Sequence, residues 1–341
     1  MKRWRILVCG LGSVGERHLE NLLALGQRDI ALWRTRGLPP RNVKAAALPV
    51  FTDLGQALAE FRPEIAVVCN PTALHLPTAL SAARAGCHVL IEKPVAHSLE
   101  GLTELEGTLA EHGRFGMVAY MMRFHPLLVR LKHWLDEGAD GTLGTPLYAR
   151  ASWGEHVPDW HPWEDYAESY AVRRSLGGGP ALTYSHDLDT ICWLLGEPTS
   201  VATATVRTAA LAGDTEHGVD WLLRFPVGAV AHLHADYFTR PPIRTFEINC
   251  TRGRVEFDYL AGTLTRFGGI VGARPPPTGA VMPAAEVHRV PDGFVRNDMF
   301  VAEMNYFLEC VAAGRPPRPD IAEGGRTLRL ALRALQDNEG I

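Results

Sequence analysis

A glycine turn near the start of the chain constrains the fold more than any other feature. The apolar run Ile6–Cys9 is followed by Gly10, Gly12 and Gly15, and a helical pattern begins directly after them. Four apolar residues in a row predict a buried parallel strand. In this spacing the first glycine allows a tight turn, the second lets a ligand approach the main chain, and the third lets the helix lie close to the strand. The pattern therefore predicts a dinucleotide site, with the pyrophosphate at the N-terminus of the helix.

The bulk composition is that of an ordinary globular protein. The chain has 341 residues, 46% of them hydrophobic and 21% charged, with a formal net charge of -4. This length suggests two domains, and the charge balance offers no surface for nucleic acid. Six scattered cysteines form no C-x-x-C pair, which favours free thiols in a reducing compartment. Because no apolar run approaches the length of a membrane span, we expect a cytoplasmic protein without membrane partners.

The order of predicted elements divides the chain into two parts. Up to about residue 122, strands and helices alternate, which predicts an α/β Rossmann domain with a doubly wound parallel sheet. The remaining residues, 123–341, read as runs of strands with few helices between them. This predicts an α+β domain with a large, mostly antiparallel open sheet, for substrate binding and oligomerisation. Gly268–Pro283 is rich in glycine and proline, so we expect a mobile surface loop there.

The end of the second predicted strand, Ile30–Trp33, bears on the choice of cofactor. A carboxylate about 20 residues past the glycines would bind the ribose hydroxyls of NAD, but this chain has Arg34, Thr35 and Arg36 there. Guanidinium groups bind a phosphate through paired hydrogen bonds, so we expect NADP to be preferred, with NAD as the alternative. A solvated basic loop without a role in cofactor choice is the other interpretation.

Two further strand ends are expected to line the cofactor crevice, because ligands bind beyond the carboxyl ends of strands in an open α/β sheet. One follows the apolar run Glu64–Cys69, and the other follows the run His88–Ile91. Together with the glycine turn they supply the predicted cofactor-binding residues: Gly10, Gly12, Ser13, Val14, Gly15, Arg34, Thr35, Arg36, Asn70, Pro71, Thr72, His75, Glu92 and Lys93.

Lys93 stands out by its residue type. The chain has only three other lysines, at positions 2, 44 and 132, and every remaining cation among the 34 is arginine. A lysine at this strand end therefore suggests a specific need for one. Pro94 excludes a continuing helix and restricts Lys93 to an extended backbone. A surface lysine without a function is the alternative.

The segment from Gly177 to Gly196 carries the clearest chemistry of the second half. Its apolar positions recur at helical spacing, and His186 and Asp189, three residues apart, share one helical face. An imidazole ordinarily titrates near neutral pH, which suits a general acid or base. The structural alternative is a core histidine hydrogen-bonded to Asp189.

Four motifs together resemble the Gfo/Idh/MocA family, the family of glucose-fructose oxidoreductase and inositol dehydrogenase. Their order and spacing span more than half of the chain. They are the glycine turn, Glu92-Lys93-Pro94, Arg123-Phe124-His125-Pro126, and Gly177-Gly178-Gly179 through Asp189. The resemblance implies an enzyme that passes a hydride between a sugar or cyclitol carbinol and C4 of a nicotinamide.

The resemblance also implies roles for individual residues. Lys93 matches the family lysine, whose charge would stabilise a developing alkoxide, and His186 matches the general acid/base. Many members place an aspartate four residues before this histidine. Here Leu182 has that spacing and Thr183 is the nearest polar residue, which resembles a branch of the family often encoded for nine-carbon acidic sugar and nucleotide-sugar pathways. Thr183 is therefore a candidate for a hydrogen-bonding role in catalysis.

An aromatic and basic run precedes the triple glycine. Aromatic faces with arginine donors suit a sugar ring that bears a phosphate or carboxylate, although a packed loop at an interface would look the same. The predicted catalytic residues are Lys93, His186 and Thr183. The predicted substrate-binding residues are Lys93, Tyr120, Arg123, Tyr166, Tyr170, Arg173, His186 and Asp189.

One set of residues could imitate a metal site. His232, His234 and Asp236 alternate along a predicted strand and so share one face. Nothing nearby in the sequence completes a coordination sphere, so we expect no metal.

The leading hypothesis is an NADP- or NAD-dependent oxidoreductase of a sugar, cyclitol, sugar phosphate or nucleotide sugar. One alternative is an enzyme that uses transient oxidation to eliminate or to cleave a glycosidic bond, and another is a non-catalytic NADP-binding sensor. The predicted strands Val219–Phe225 and Ala229–Tyr237 keep apolar residues on both alternations. We therefore expect a homodimer or homotetramer built on that sheet.

Overall fold

The computed structural model describes residues 2–35, 47–160, 165–268 and 285–336. The chain forms two compact units. The first contains residues 1–121, 173–178 and 295–329, and the second contains residues 122–172, 179–294 and 330–341. The predicted loop Gly268–Pro283 lies almost wholly outside the described residues.

The first unit is built on a six-stranded parallel sheet. Its order is β3-β2-β1-β4-β5-β6, so the chain begins at the centre and reverses direction there, as in a doubly wound fold. The strands are β1 (Ile6–Cys9), β2 (Ile30–Trp33), β3 (Val50–Phe51), β4 (Ile65–Val68), β5 (His88–Glu92) and β6 (Gly116–Ala119). Every residue of β1, β4, β5 and β6 is buried, which is why these strands read as apolar runs rather than alternating patterns.

Helices connect these strands and pack on the sheet. They are α1 (Ser13–Ala24), α2 (Leu54–Gln56) with a π-helical turn at Ala57–Phe61, α3 (His75–Arg84), and α4 (Leu102–Glu111). Helix α3 begins directly after a 3₁₀ turn over Thr72–Leu74.

Two segments that the predicted division assigns to the second domain pack with the first unit. Helix α8, numbered in chain order over Arg296–Ala312, lies against α1, where Asn297 Nδ2 donates to Asn21 Oδ1 at 2.8 Å. Val118 N in β6 donates to Pro319 O at 3.0 Å. A single boundary along the sequence cannot group these segments with the first unit, because their contacts join residues far apart in sequence.

The second unit is built on an eight-stranded sheet. Its order is β14-β13-β12-β11-β7-β10-β9-β8, antiparallel except between β7 and β10. The strands are β7 (Pro146–Gly154), β8 (Ser200–Val206), β9 (Gly218–Arg224), β10 (Val230–Asp236), β11 (Ile243–Cys250), β12 (Gly253–Asp258), β13 (Thr263–Gly268) and β14 (Glu286–Arg289). The predicted fold class is confirmed, although the sequence analysis placed no strand at β3, β13 or β14.

One face of this sheet carries the core of the second unit. Trp221, Leu233 and Phe246 point to this face and are nearly fully buried. The indole Nε1 of Trp221 donates to Leu330 O at 3.0 Å. The helices of the second unit are α5 (Pro126–Asp136), α6 (Pro180–Thr183) and α7 (Ser185–Leu195). Helix α9 (Ile321–Gln336) belongs to the first unit up to residue 329 and to the second unit from residue 330.

Candidate active site

The glycine turn after β1 has three distinct local roles. A Cβ on Gly15 would lie 2.1 Å from Gly10 O, and a Cβ on Gly10 would lie 2.7 Å from Asn70 N. Gly10 also has a φ of +98°, which side chains rarely tolerate. A Cβ on Gly12 would meet no atom within 4 Å. The protein's own main chain therefore requires two of the glycines, whereas the third borders open space.

That open space lies at the N-terminus of α1. The first intrahelical hydrogen bond runs from Glu16 N to Gly12 O at 2.9 Å, so the N–H groups of Ser13, Val14 and Gly15 precede the helical hydrogen-bond pattern. Gly12 is the N-cap and makes no side-chain capping bond. Free N–H groups and the helix dipole bind anions at such a position. The turn fits the pyrophosphate of a dinucleotide.

The end of β4 presents a second polar group at the same edge of the sheet. Asn70 Nδ2 donates to Thr78 Oγ1 at 2.8 Å, while the buried Asn70 Oδ1 accepts no hydrogen bond within the described ranges. A buried acceptor without a partner is costly in a folded protein, so a ligand donor at this point would stabilise it. Pro71 is exposed beside it, and Thr72 is buried.

His75 ties this turn to the next one. Its Nδ1 lies 2.8 Å from Pro94 O and its Nε2 lies 2.8 Å from Asn70 O, and burial lowers the pKa of His75. Both ring nitrogens are thus occupied by main-chain carbonyls. This geometry favours a positioning role for His75, and its direct contact with a cofactor stays a prediction.

Lys93 follows β5 directly, and the preceding Glu92 is held by His18, a residue that the sequence analysis did not select. Glu92 is buried, and its Oε1 lies 2.7 Å from His18 Nε2 on α1. The other oxygen, Oε2, accepts from Lys93 N at 3.2 Å. Burial raises the pKa of Glu92, but the His18 hydrogen bond and nearby positive charges outweigh it and lower the pKa overall. His18 could have been noticed as a histidine on the apolar face of α1.

The predicted NADP residues are only partly described. Arg34 follows β2, and its N donates to Phe51 O of the neighbouring strand at 3.0 Å. The Arg34 side chain is half-buried and Thr35 is exposed. Arg36 lies outside the described residues.

In the second unit, a buried carboxylate fixes the start of the His186 segment. Gly179 has a φ of +98°, and a Cβ there would lie 2.2 Å from Glu216 Oε1. The same oxygen accepts from Ala181 N at 3.0 Å, at the beginning of α6. Glu216 was not selected from the sequence, because nothing in its local pattern links it to a turn 35 residues away.

Two ion pairs then hold α7, on either side of His186. Arg123 donates to Asp189 through Nε and Nη2, at 2.8 and 2.7 Å. Arg244 Nη2 donates to Asp187 Oδ1 at 2.8 Å. Because Arg123 and Asp189 are paired with each other, the geometry favours a role in positioning α7, and their predicted contact with substrate stays a prediction.

Aromatic rings pack beside His186, which is itself buried. The Trp153 ring centroid lies 4.2 Å from that of Tyr184 and 6.2 Å from that of His186. The Arg244 guanidinium lies 3.6 Å from the Trp153 ring centroid. Aromatic packing and the cation–π contact both restrict the rotation of this tryptophan.

Thr183, at the end of α6, is hydrogen-bonded to another residue that the sequence analysis did not select. Tyr237 OH donates to Thr183 Oγ1 at 2.8 Å, and both side chains are buried. Burial raises the pKa of Tyr237 well above its ordinary value, so the phenol stays protonated.

The other predicted substrate residues differ in their burial and in the unit to which they belong. Tyr120 is fully buried and Tyr170 is 44% exposed. Tyr166 OH accepts from Ala212 N at 3.1 Å. Arg173 belongs to the first compact unit, whereas Tyr166 and Tyr170 belong to the second.

The histidines on β10 form a hydrogen-bonded row. Asp220 Oδ1 lies 2.9 Å from His232 Nε2 and 3.0 Å from His234 Nδ1, and His234 Nε2 lies 3.0 Å from Asp236 Oδ2. Each carboxylate thus bonds to an imidazole instead of facing a shared centre. Within the described ranges, no group of three or more histidine, cysteine or acidic side chains has metal-binding geometry.

Family models match both halves of the chain. A model described as an oxidoreductase family with an NAD-binding Rossmann fold matches residues 4–120. A model described as the GFO/IDH/MocA C-terminal domain matches residues 129–256. No helix within the described residues is long and apolar enough to cross a membrane.

Curated relatives align over nearly the whole chain. Levoglucosan dehydrogenase of Pseudarthrobacter phenanthrenivorans is 26% identical over 372 aligned positions, covering 95% of this chain and 93% of the relative. UDP-N-acetylglucosamine 3-dehydrogenase of Acidithiobacillus ferrooxidans is 27% identical over 341 positions, covering 97% and 96%.

A solved structure supports the same fold. Levoglucosan dehydrogenase in complex with NADH and levoglucosan superposes with a TM-score of 0.85 at 19% identity, covering 99% of this chain and 98% of the other. The two family models, the full-length relatives and the dinucleotide turn agree with one another. The chain belongs to the Gfo/Idh/MocA family and is an NAD(P)-dependent oxidoreductase.

Proposed function

We propose that this chain transfers a hydride between a nicotinamide and a hydroxyl-bearing carbon of a sugar, cyclitol, sugar phosphate or nucleotide sugar. The observation that carries the proposal is the set of residues that follow three adjacent strands at one edge of the parallel sheet. Gly10, Asn70 and Lys93 follow the adjacent strands β1, β4 and β5, beside the open space at Gly12. The relatives that align over the full length act, by name, on levoglucosan and on UDP-N-acetylglucosamine.

The proposed roles follow from the chemistry of each group. When bound, the nicotinamide accepts or returns the hydride. The Lys93 ammonium stabilises negative charge on the reacting oxygen, because a fixed cation in a partly buried position is worth more than one in water. His186 takes the proton of the alcohol during oxidation and gives it back during reduction. Thr183 adds a neutral hydrogen bond.

Binding of the cofactor is assigned to the first unit. The N–H groups of Ser13, Val14 and Gly15 bind the pyrophosphate, and Asn70 offers a buried acceptor. We infer a preference for NADP, supported by Arg34 and Arg36 at the end of β2, where no acidic residue competes. Replacing both arginines with serine should raise the Kd of NADPH at least about tenfold and change that of NADH little. Equal losses would assign the arginines a structural role.

We infer a homodimer or homotetramer built on the open face of the eight-stranded sheet. Leu222 and Tyr148 on this face are 52% and 38% exposed, and α6 and α7 pack on the opposite face. Apolar side chains that stay exposed on a sheet favour contact with another subunit. Light scattering at micromolar concentration should give a multiple of 37.4 kDa, and a monomeric mass would refute the proposal.

A cytoplasmic location is supported by the thiols. None of the six cysteines forms a disulfide, and burial raises the pKa of Cys87 to about 12 and that of Cys250 to about 11. Cysteines outside disulfides are typical of a reducing compartment.

The deciding experiment is an absorbance assay at 340 nm. Each cofactor is paired with a panel of sugars, sugar phosphates and nucleotide sugars that includes levoglucosan and UDP-N-acetylglucosamine. On an active substrate, Lys93→Met and His186→Ala should each lower kcat/KM by about 100-fold or more while the Tm stays near wild type. Lys132→Met, a lysine paired with Asp136 on α5, is the matched control and should be fully active.

Other outcomes would redirect the assignment. Near-wild-type turnover in both the Lys93 and His186 variants would defeat the proposed roles. Cofactor binding without turnover on any substrate would favour a sensor. Product formed without net change at 340 nm would favour an eliminating or glycoside-cleaving enzyme that uses transient oxidation.

A further inference from the structure

A buried histidine on α1 contacts the residue that precedes Lys93. The His18 side chain has no solvent exposure, and its Nε2 lies 2.7 Å from Glu92 Oε1. An ionised carboxylate can only accept a hydrogen bond, so His18 Nε2 carries the hydrogen and donates it. Within the described ranges His18 Nδ1 makes no hydrogen bond, and the ring packs edge-to-face on Phe300 at a centroid distance of 6.0 Å. The polar contact of this side chain is therefore the one with Glu92.

The Glu92 carboxylate is hydrogen-bonded on both of its oxygens. While Oε1 accepts from His18, Oε2 accepts from Lys93 N at 3.2 Å. The carboxylate thus connects helix α1 to the first peptide of the turn after β5. Because Glu92 is buried, rotation away from either donor would leave a carboxylate oxygen unsatisfied, which is costly.

The surroundings of this carboxylate favour its charged form. Burial raises the pKa of Glu92, but the His18 hydrogen bond and the positive charge at His18, Lys93 and His75 lower it overall. The interaction with Lys93 is mutual, because a carboxylate that is stabilised by a nearby cation also favours the protonated form of that cation. Glu92 therefore supplies a negative charge that favours the Lys93 ammonium.

Two further titratable groups lie near this carboxylate. Burial, together with Glu92 and Glu303, raises the pKa of Cys69 well above its ordinary value, so the thiol stays neutral. Glu303, on α8, is itself fully buried. Neither group supplies positive charge, so the charge of Glu92 depends on the His18 hydrogen bond and on the cations near it.

We propose that His18 is a positioning residue that holds the Glu92 carboxylate ionised beside Lys93, so that the Lys93 ammonium keeps both its place and its proton. The inference rests on the proposed function, because it assumes that Lys93 acts at the reacting oxygen. Only a protonated Lys93 offers a positive charge to a developing alkoxide. The proposal gives a task to a residue 74 positions before Glu92 in sequence.

The first test measures Lys93 directly and needs no substrate. Acetic anhydride acetylates only unprotonated amines, and the chain has four lysines, so mass spectrometry can follow Lys93 and Lys132 in one sample. At about pH 8, below the ordinary titration range of lysine, Glu92→Gln should raise the acetylation rate of Lys93 relative to Lys132 about threefold or more. His18→Leu should raise the same ratio, because the carboxylate loses its donor.

Two controls separate charge from structural damage. His88 begins the same strand, is buried, and accepts from Phe115 N through Nδ1 at 3.0 Å, so His88→Leu should lower the Tm without changing the Lys93 to Lys132 ratio. At about pH 11 most lysines are unprotonated. The excess labelling in Glu92→Gln should therefore disappear at that pH, whereas a merely more accessible lysine would keep it.

The second test is kinetic, with levoglucosan and UDP-N-acetylglucosamine as probes. His18→Leu should lower kcat about tenfold or more, the size of a hydrogen bond to a charged group. KM should change little, because Lys93 acts on charge that develops in the transition state. His18→Gln, whose amide nitrogen has about the reach of Nε2, should recover most of the loss. His88→Leu should retain wild-type kcat.

Three results would each overturn the proposal. They are wild-type labelling of Lys93 in either His18→Leu or Glu92→Gln, excess labelling that persists at about pH 11, and equal losses of kcat in His18→Leu and His18→Gln. If His18→Leu does not fold, His18→Asn replaces it, because its shorter amide does not reach Glu92. Failure of the proposed function is recognised separately, since Lys93→Met would then retain its activity whatever the labelling shows.

Discussion

The glycine turn of the first unit and the His186 segment of the second are held in place by different means. The turn depends on close approaches between main-chain atoms, those of Gly15 to Gly10 O and of Gly10 to Asn70 N. The His186 segment depends on buried side chains from distant positions. Arg123, Glu216 and Arg244 each bond to a residue of this segment.

The difference has a physical origin. A phosphate is recognised by N–H groups that every residue carries, so only the backbone path has to be specified, and glycines specify it. An acid/base side chain must be aimed from a chosen direction, which requires partners from several elements. We therefore expect the glycine turn to be sensitive to side chains added at its glycines, and the His186 segment to be sensitive to the loss of a distant side-chain partner.

The largest expected effect comes from breaking a buried ion pair beside His186. Arg123→Met removes the bidentate partner of the Asp189 carboxylate, whose side chain has no solvent exposure. The free energy of unfolding should fall by about 3–5 kcal/mol, as measured by urea denaturation. The double variant Arg123→Met/Asp189→Leu should recover much of this loss, because it removes both charges.

The surface pair between Arg240 and Asp159 is the matched control. It is also bidentate, with N–O distances of 2.9 and 3.1 Å, but both side chains are well exposed. Arg240→Met should leave stability near wild type, since exposed pairs contribute little. Equal losses of stability at the buried and the exposed pair would show that burial does not set the contribution of the Arg123–Asp189 pair.

Two glycine variants test the other region of the comparison, the glycine turn. Gly15→Ala places a methyl group against a main-chain oxygen and should cost about 1–3 kcal/mol of stability. Gly12→Ala, where φ is -78° and no protein atom lies within 4 Å, should keep its Tm. It should nevertheless weaken NADH binding about tenfold or more, because the methyl group fills the open space. Thermal shift and fluorescence titration distinguish the two, and a large loss of Tm in Gly12→Ala would contradict the assignment.

The smallest effect concerns the histidine row on the open sheet face. Hydrogen bonds to Asp220 and Asp236 raise the pKa of His234 to about 9, above its ordinary value of about 6.5. The folded protein thus keeps a proton that the unfolded chain releases. His234 stabilises the fold fully below about pH 6.5, and this contribution is lost as the pH rises through about 9.

The measurement is the Tm between pH 6 and pH 10. The fall over this range should be shallower in His234→Gln than in the wild type. His232→Gln is the control, because His232 contacts only the Asp220 end of the row, and it should keep the wild-type slope. An unchanged slope in His234→Gln would show that other groups set the pH dependence of this unit.

Sequence patterns identified most elements because their signals are local. The strands Ile6–Cys9 and Ile30–Trp33 have the predicted bounds. Strand β3, with only two residues, is too short to show a period. Strands β13 and β14 pair with each other across residues 269–284, which lie outside the described ranges.

The sequence by itself determined the dinucleotide turn, the class of each domain, and the choice of Lys93 and His186 as candidates. Glycine spacing, apolar runs and residue type are read along the chain, and each has a physical meaning without knowledge of distant contacts. Only the tertiary structure decided that His18 anchors Glu92, that Arg123 pairs with Asp189, and that Tyr237 reaches Thr183. A buried polar group must find a partner, but any of many donors can serve, and the fold selects which one is near.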